Sequence, residues 1–251
     1  MFPNPQRPLR APRHFAVMPA GGAGSRLGAA VPKQYLDLHG EPMIACAARA
    51  LLAAPWVERL VVVVAPGDLR AGPALAGLPR TTVLAEGGET RRDTVLAGLR
   101  WLASESGAGA GGAGGASTGG AGIAEDWVLV HDAARPALGR AVLERLRETL
   151  ADDPVGGLLA MPVSDTVKRA TAAGSVAETV PREGLWLAQT PQMFRFGLLL
   201  EALARFGDVT DEAAAIELSG GAPRLVAGDR MNFKVTTADD LELMRRLMRN
   251  G

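Results

Sequence analysis

The chain has 251 residues, 47% of them hydrophobic, with 27 Lys and Arg against 27 Asp and Glu for a formal net charge of +0. That length suits one α/β domain or two small ones with a sizeable core, and the balanced charge gives no field for steering onto nucleic acid or an anionic membrane. The single cysteine, Cys46, excludes an internal disulfide, and no apolar run approaches the roughly 18 residues of a membrane span, so a cytoplasmic protein is expected.

The first residues carry Pro3, Pro5, Pro8 and Pro12 among Arg7, Arg10 and Arg13. They lack the apolar stretch of a signal peptide, so residues 1–13 are expected to be a disordered extension and residues 14–251 a single domain. Phe15-Ala16-Val17-Met18 reads as a buried strand. It runs into Pro19-Ala20-Gly21-Gly22-Ala23-Gly24-Ser25-Arg26-Leu27-Gly28, followed after a gap by Pro32-Lys33-Gln34. Without Cβ atoms such a loop brings backbone N–H groups close to an anion. Arg26 and Lys33 add two cations, so the stretch reads as a loop that holds a triphosphate.

From Glu41 to Ala54 the apolar pattern is helical, with Pro42 in the first turn and Cys46 a small core residue. Leu60 to Val64 is the clearest buried strand, closed by Pro66-Gly67. A shorter strand from Thr81 to Ala85 leads into Gly87-Gly88-Glu89 and a helix through Trp101. Residues 107–122 are almost entirely Gly, Ala, Ser and Thr, a composition that predicts a flexible insertion. Trp127 to Val130 makes a fourth strand, ending in His131-Asp132-Ala133-Ala134-Arg135-Pro136. A helix from Gly139 to Leu150 and a strand from Gly157 to Met161 follow.

This alternation predicts a doubly wound, mostly parallel, Rossmann-like α/β sheet whose strand ends converge on one cleft. Residues 163–187 break the rhythm with two short β-like segments around Ala172-Ala173-Gly174, and read as a projecting hairpin arm. Beyond it come Gln189-Thr190-Pro191-Gln192, a helix from Gly197 to Phe206, and Thr210-Asp211-Glu212 opening another. A strand from Arg224 to Ala227, the segment Asn232 to Thr236 and a last helix to Arg249 end the chain.

The strand-end residues fit nucleotidyl transfer better than hydride transfer. Arg26, Lys33 and Lys234 are candidate phosphate cations. Asp132 reads either as a hard oxygen ligand for Mg²⁺ or as a cap for the turn before Pro136. Arg91 and Arg92 read as solvated helix residues, and Thr210-Asp211-Glu212 as an N-cap with an acidic first turn. No nucleophile–base pair or zinc set is visible, which favours in-line attack by the substrate's own phosphate.

Together the stretches PAGGAGSRLG, PKQY, EGGETRRDTVLAGL, VLVHDAARP, PVSDTVKR, LWLAQTPQMF, TDEA and NFKVT resemble the 2-C-methyl-D-erythritol 4-phosphate cytidylyltransferase family, from about Phe15 to Met248. The resemblance implies a nucleotidyltransferase-type fold and transfer of CMP from CTP to methylerythritol phosphate, with release of pyrophosphate. It implies Arg26, Lys33 and Lys234 at the phosphates, and Ala20, Gly21, Gly22, Gly24, Gly88, Glu89, Thr94 and Asp132 at the nucleotide, Asp132 also holding Mg²⁺. Arg135, Thr166, Arg182, Thr190 and Thr210 are implied to position the acceptor. It further implies a homodimer in which the arm carries Arg182 to the partner's site. Gly21 stands where the family often has alanine, and Glu89 where aspartate is frequent.

Three rivals remain at this level. Ribitol-5-phosphate cytidylyltransferase shares the scaffold, but its motif tends towards HDSVRP where this chain has HDAARP. A dinucleotide-dependent oxidoreductase wants an acidic residue about 20 positions after the glycines, and the second strand here arrives much later. A non-catalytic nucleotide-binding regulator has no use for three phosphate cations.

Overall fold

The computed structural model describes residues 10–22, 31–108 and 123–249. The apolar runs form the centre of the sheet. β1 (His14–Pro19) leads through a 3₁₀ turn at Lys33–Tyr35 and a small ladder of β2 (Asp37–Leu38) with β3 (Glu41–Pro42) into α1 (Met43–Leu52). β4 (Val57–Val63), α2 (Ala71–Ala74), β5 (Thr81–Leu84), α3 (Arg91–Ala108) and β6 (Trp127–Val130) continue the alternation. α4 (Arg140–Leu150) and β7 (Gly156–Pro162) precede the arm strands β8 (Val167–Ala170) and β9 (Val176–Val180). β10 (Trp186–Arg195), α5 (Phe196–Arg205), α6 (Glu212–Leu218), β11 (Arg224–Ala227) and α7 (Ala238–Met248) close the chain.

Seven strands pair in the order β11-β7-β10-β6-β1-β4-β5, all parallel except β10, which runs antiparallel to both its neighbours. The doubly wound α/β expectation therefore holds. One apolar cluster packs α1 and α4 on one face, through Met18, Leu51, Leu60 and Leu143. Another packs α3, α5 and α6 on the other, through Val17, Val63, Leu99, Phe194 and Ile216. Burying both faces turns the sequence of each central strand into a continuous apolar run. It also leaves the strand ends as the place for chemistry. Among the described residues no helix is long and apolar enough to cross a membrane.

Several boundaries depart from the sequence reading. Glu41 and Pro42 pair as β3, so α1 starts at Met43, and α3 runs past Trp101 to Ala108. The flexible-insertion expectation otherwise falls on residues 109–122, which lie outside the described residues. Gln189–Gln192 belong to a strand, hidden from the apolar pattern because Gln189, Thr190 and Gln192 are buried polar residues. Ala188 faces Ala160 and Gln192 faces Leu158, so Gln189, Thr190 and Pro191 bulge out opposite Leu159. A bulge is where a strand tolerates proline. Lys234, expected between strand-like segments, lies in an irregular loop.

The N-terminal expectation also needs correcting. Residues 10–13 are held to the domain by Asp126, which is 1% exposed. Arg10 grips it with both Nη atoms at 2.7 and 2.8 Å, and Arg13 with its backbone N–H and guanidinium. A buried carboxylate just before β6 requires such cations. Residues 1–9 lie outside the described residues.

Candidate active site

β1, β4, β5 and β6 are parallel, so the loops after them open on the same edge of the sheet. Those after β1, β5 and β6, together with the start of α3 and the segment before α7, enclose a cleft of about 400 Å³ lined by Ala20, Gly21, Gly22, Lys33, Gly88, Glu89, Thr94, Asp132 and Lys234, among others. Those nine expected residues therefore come together. Gly24 and Arg26 lie outside the described residues.

The glycines differ in how strictly they are required. A Cβ on Gly88 would run into Asp93 Cβ, whereas one on Gly21 would sit at an ordinary 3.5 Å from Thr94 Oγ1. Gly88 thus lets two backbone segments close on the cleft, and an alanine in place of Gly21 fits. The loop after β1 is tied down by Gln34, whose buried Nε2 donates to Ala20 O at 2.8 Å and to Gly22 O at 3.3 Å. Engaging those carbonyls at the cleft wall is a role that the sequence motif alone did not disclose. Thr94 Oγ1 donates to Thr90 O at 2.9 Å, fixing the start of α3.

Asp132 sits at the centre of a charge network, with its side chain 10% exposed. Oδ1 accepts from Arg91 Nε and Nη2 at 3.2 and 3.1 Å. Oδ2 pairs with Lys234 Nζ at 2.8 Å, and Arg135 Nε lies 3.9 Å away. Burial by itself would raise this carboxyl, but Arg91, Lys234 and Arg135 outweigh it and hold Asp132 well below the ordinary carboxylate range. Arg91 also forks onto Glu212, at 2.6 and 3.0 Å. Burial works against the Arg91 cation, yet its two carboxylate partners keep it firmly protonated.

This corrects the reading of Arg91 and Arg92 as solvated. Arg91 lines the cleft, and Arg92 binds Asp93 Oδ1 at 2.6 Å and Phe206 O at 3.2 Å. The available signal was position: a cation in the first turn of a helix opposes the macrodipole, so two in a row call for partners elsewhere. Asp211, rather than Thr210, caps α6 by accepting from Ala214 N–H at 2.9 Å.

None of Arg135, Thr166, Arg182, Thr190 and Thr210 lines this cleft. Arg135 is buried, and donates to Asn232 O at 2.7 Å and to Ala188 O at 3.3 Å. The bulge in β10 puts the Thr190 hydroxyl behind Asp132, where it accepts from Asp132 N–H at 3.0 Å. It donates to His131 Nδ1 at 3.0 Å, because His131 Nε2–H is committed to the carbonyl of Arg135. Burial lowers His131 to a pKa of about 4, so the ring is neutral. Thr210 is exposed, as are Thr166 and Arg182 on the arm, where the Arg182 guanidinium donates to Ser164 O.

Asp68, just beyond β4, accepts from Tyr35 Oη at 2.7 Å and from the N–H groups of Arg70 and Ala71. It does not line the cleft, so Asp68 is not placed as the acidic residue of a dinucleotide site would be. The family described as 2-C-methyl-D-erythritol 4-phosphate cytidylyltransferase matches residues 14–108 and 116–250. The chain belongs to this family. Members of that name are 51% identical in Dechloromonas aromatica (95% of this chain, 98% of the relative) and 52% identical in Bordetella pertussis (92% and 97%). A crystal structure of a 4-diphosphocytidyl-2C-methyl-D-erythritol synthase superposes with a TM-score of 0.80 at 36% identity, covering 95% of this chain and all of the other. The cytidylyltransferase of Thermus thermophilus gives 0.73 at 29% identity, covering 94% and 99%.

Proposed function

We infer that the chain transfers the cytidylyl group of CTP to 2-C-methyl-D-erythritol 4-phosphate, giving 4-diphosphocytidyl-2-C-methyl-D-erythritol and pyrophosphate in the non-mevalonate isoprenoid pathway. The observation that carries this reading is that Gly21, Gly22, Lys33, Gly88, Asp132 and Lys234, from separate segments, share one cleft in a member of the family.

A phosphate oxygen of the acceptor attacks the α-phosphorus of CTP, and the α–β bridging oxygen leaves with its electron pair on pyrophosphate. The attacking phosphate is already an anion near neutral pH, so no general base is needed. What remains is positioning and charge neutralisation. In this reading Arg26, Lys33 and Lys234 neutralise the phosphates, while Ala20, Gly21, Gly22, Gly24, Gly88, Glu89 and Thr94 frame the nucleotide.

The residues fit a Mg²⁺ that arrives with its triphosphate. Asp132 is an ionised oxygen donor on the cleft wall, and Mg²⁺ commonly takes one or two carboxylates and fills its shell with phosphates and water. Among the described residues no group of three His, Cys, Asp or Glu gathers to hold a metal unaided. When bound, the ion adds positive charge to the departing phosphates.

The arm supports a homodimer, and the chain's place is proposed to be the cytoplasm. β8 and β9 form a ladder separate from the main sheet, and Val176, Leu185, Trp186 and Leu187 around it are 64%, 39%, 39% and 62% exposed. An isolated two-stranded ladder is marginal in water, and a second copy would cover these side chains. It would also take Thr166 and Arg182 to the partner's cleft, leaving Arg135, Thr190 and Thr210 as the same-chain candidates for the acceptor.

The test is pyrophosphate release from CTP and Mg²⁺ with methylerythritol 4-phosphate against ribitol 5-phosphate. Release with the first alone is expected. Release with ribitol 5-phosphate alone would keep the chemistry and change the substrate, and silence with both would favour a regulator.

A further inference from the structure

The reaction as proposed uses the cations on the cleft wall and leaves one buried acid without a task. Glu212 is 1% exposed, at the start of α6, and its carboxylate is taken by the fork of Arg91. The other side of the same guanidinium holds Asp132 Oδ1, and Asp132 Oδ2 holds the Lys234 ammonium. Glu212, Arg91, Asp132 and Lys234 therefore form one chain of contacts across α6, α3, the end of β6 and the loop before α7. A planar guanidinium with both sides engaged has one orientation. With Glu212 removed, Arg91 becomes a cation with a single carboxylate partner, free to turn and draw Asp132 away from Lys234.

We propose that Glu212 is a positioning residue: by fixing Arg91 it sets the orientation of the Asp132 carboxylate and hence the place of Lys234 at the reacting phosphates. The proposal rests on the cytidylyl-transfer reading. Its signature is a loss in turnover rather than in nucleotide binding, because Glu212 does not line the cleft.

The experiment compares the full-length protein with Glu212→Gln, Arg91→Met and the double variant. CTP binding by calorimetry counts folded sites and gives affinity, and pyrophosphate release gives kcat and KM. Glu212→Gln is expected to lower kcat about tenfold or more, as the loss of an orienting partner does at other sites, while CTP affinity changes less than about threefold on the same scale. In the Arg91→Met background, Glu212→Gln should cost almost nothing further, since partners in one network are not additive. An unchanged kcat in a folded, CTP-binding Glu212→Gln protein overturns the proposal, as does a loss that adds fully to that of Arg91→Met. If Glu212→Gln no longer folds, the double variant decides: restored folding with the kcat of Arg91→Met supports it, and failure of both overturns it. Absence of turnover in the unaltered protein overturns the parent reading and this one with it.

Discussion

The strand-end cleft and the projecting arm are built from the same side-chain types, arginines, threonines and carboxylates, in opposite states of satisfaction. In the cleft, Asp132 has partners on both oxygens and Arg91 on both sides of its guanidinium, and the central strands β1, β4 and β6 behind them are largely buried. On the arm, Lys168, Arg169 and Glu178 are exposed, and Val176 and Leu187 face outwards. The cleft is pre-organised by one chain, which is what charge stabilisation in a transition state requires. The arm has no core of its own and has surface to offer another molecule. One region holds its geometry without help, and the other makes sense in an assembly.

The sharpest way to break this contrast is to remove charge from the cleft. Lys33 lines it, with Nζ 3.4 Å from Val235 O. Lys33→Ala is expected to lower kcat by about 10²- to 10³-fold, the scale for losing one group that stabilises transition-state charge. The KM for CTP should move little. Steady-state kinetics would check this, and unchanged turnover would remove Lys33 from the mechanism.

Subunit mixing tests the arm's half of the contrast. In the proposed homodimer, equal amounts of Lys33→Ala and Arg182→Ala protein, unfolded and refolded together, would form heterodimers in which one of two composite sites is intact. Activity should recover to about a quarter of the unaltered level, from symmetric pairing statistics. No recovery from a mixture shown to contain heterodimer would mean that Arg182 does not serve a neighbouring cleft.

Much of this contrast was legible in the sequence, and the parts that were not share a cause. Runs such as Val61 to Val64 and Trp127 to Val130 announce buried strands because both faces of the sheet are covered. The glycines after β1 and the arm's broken rhythm stand out for equally local reasons. Arg91, Gln34 and Thr190 are different. Each is explained by a partner far along the chain, Glu212, Ala20 and Asp132 respectively, or by a loop it has to brace. Gln189 to Gln192 was missed as strand for the same reason, since its polar residues are buried only because tertiary contacts satisfy them.

The support behind the cleft has a pH signature. His131 is neutral in the fold, with a pKa lowered by burial to about 4 from an ordinary 6.5. The unfolded chain therefore binds a proton that the fold refuses between those values. The resulting stability is complete above about pH 6.5 and is lost as pH falls towards 4, up to about 3 kcal/mol. Urea unfolding at pH 7 and pH 5 should show part of that loss, and His131→Asn should flatten the slope. Equal slopes in the two proteins would mean that His131 titrates normally.

The smallest effect is expected from the arm's own ion pair, which makes it the best control for the buried one. Arg169 Nε lies 2.5 Å from Glu178 Oε1, with side chains 65% and 57% exposed, so water and salt screen it. Arg91 and Glu212 are the same two residue types with 29% and 1% exposure. Breaking a buried pair by removing one partner costs on the order of 3–5 kcal/mol, whereas an exposed pair is worth about 0–1. Glu178→Gln should therefore shift the urea midpoint by an amount worth less than about 1 kcal/mol, shrinking further in added salt. A loss of several kcal/mol, insensitive to salt, would mean that the pair is desolvated in solution. The arm would then be covered at Arg169 and Glu178, and its polar ladder would belong to the interface together with Val176 and Leu187.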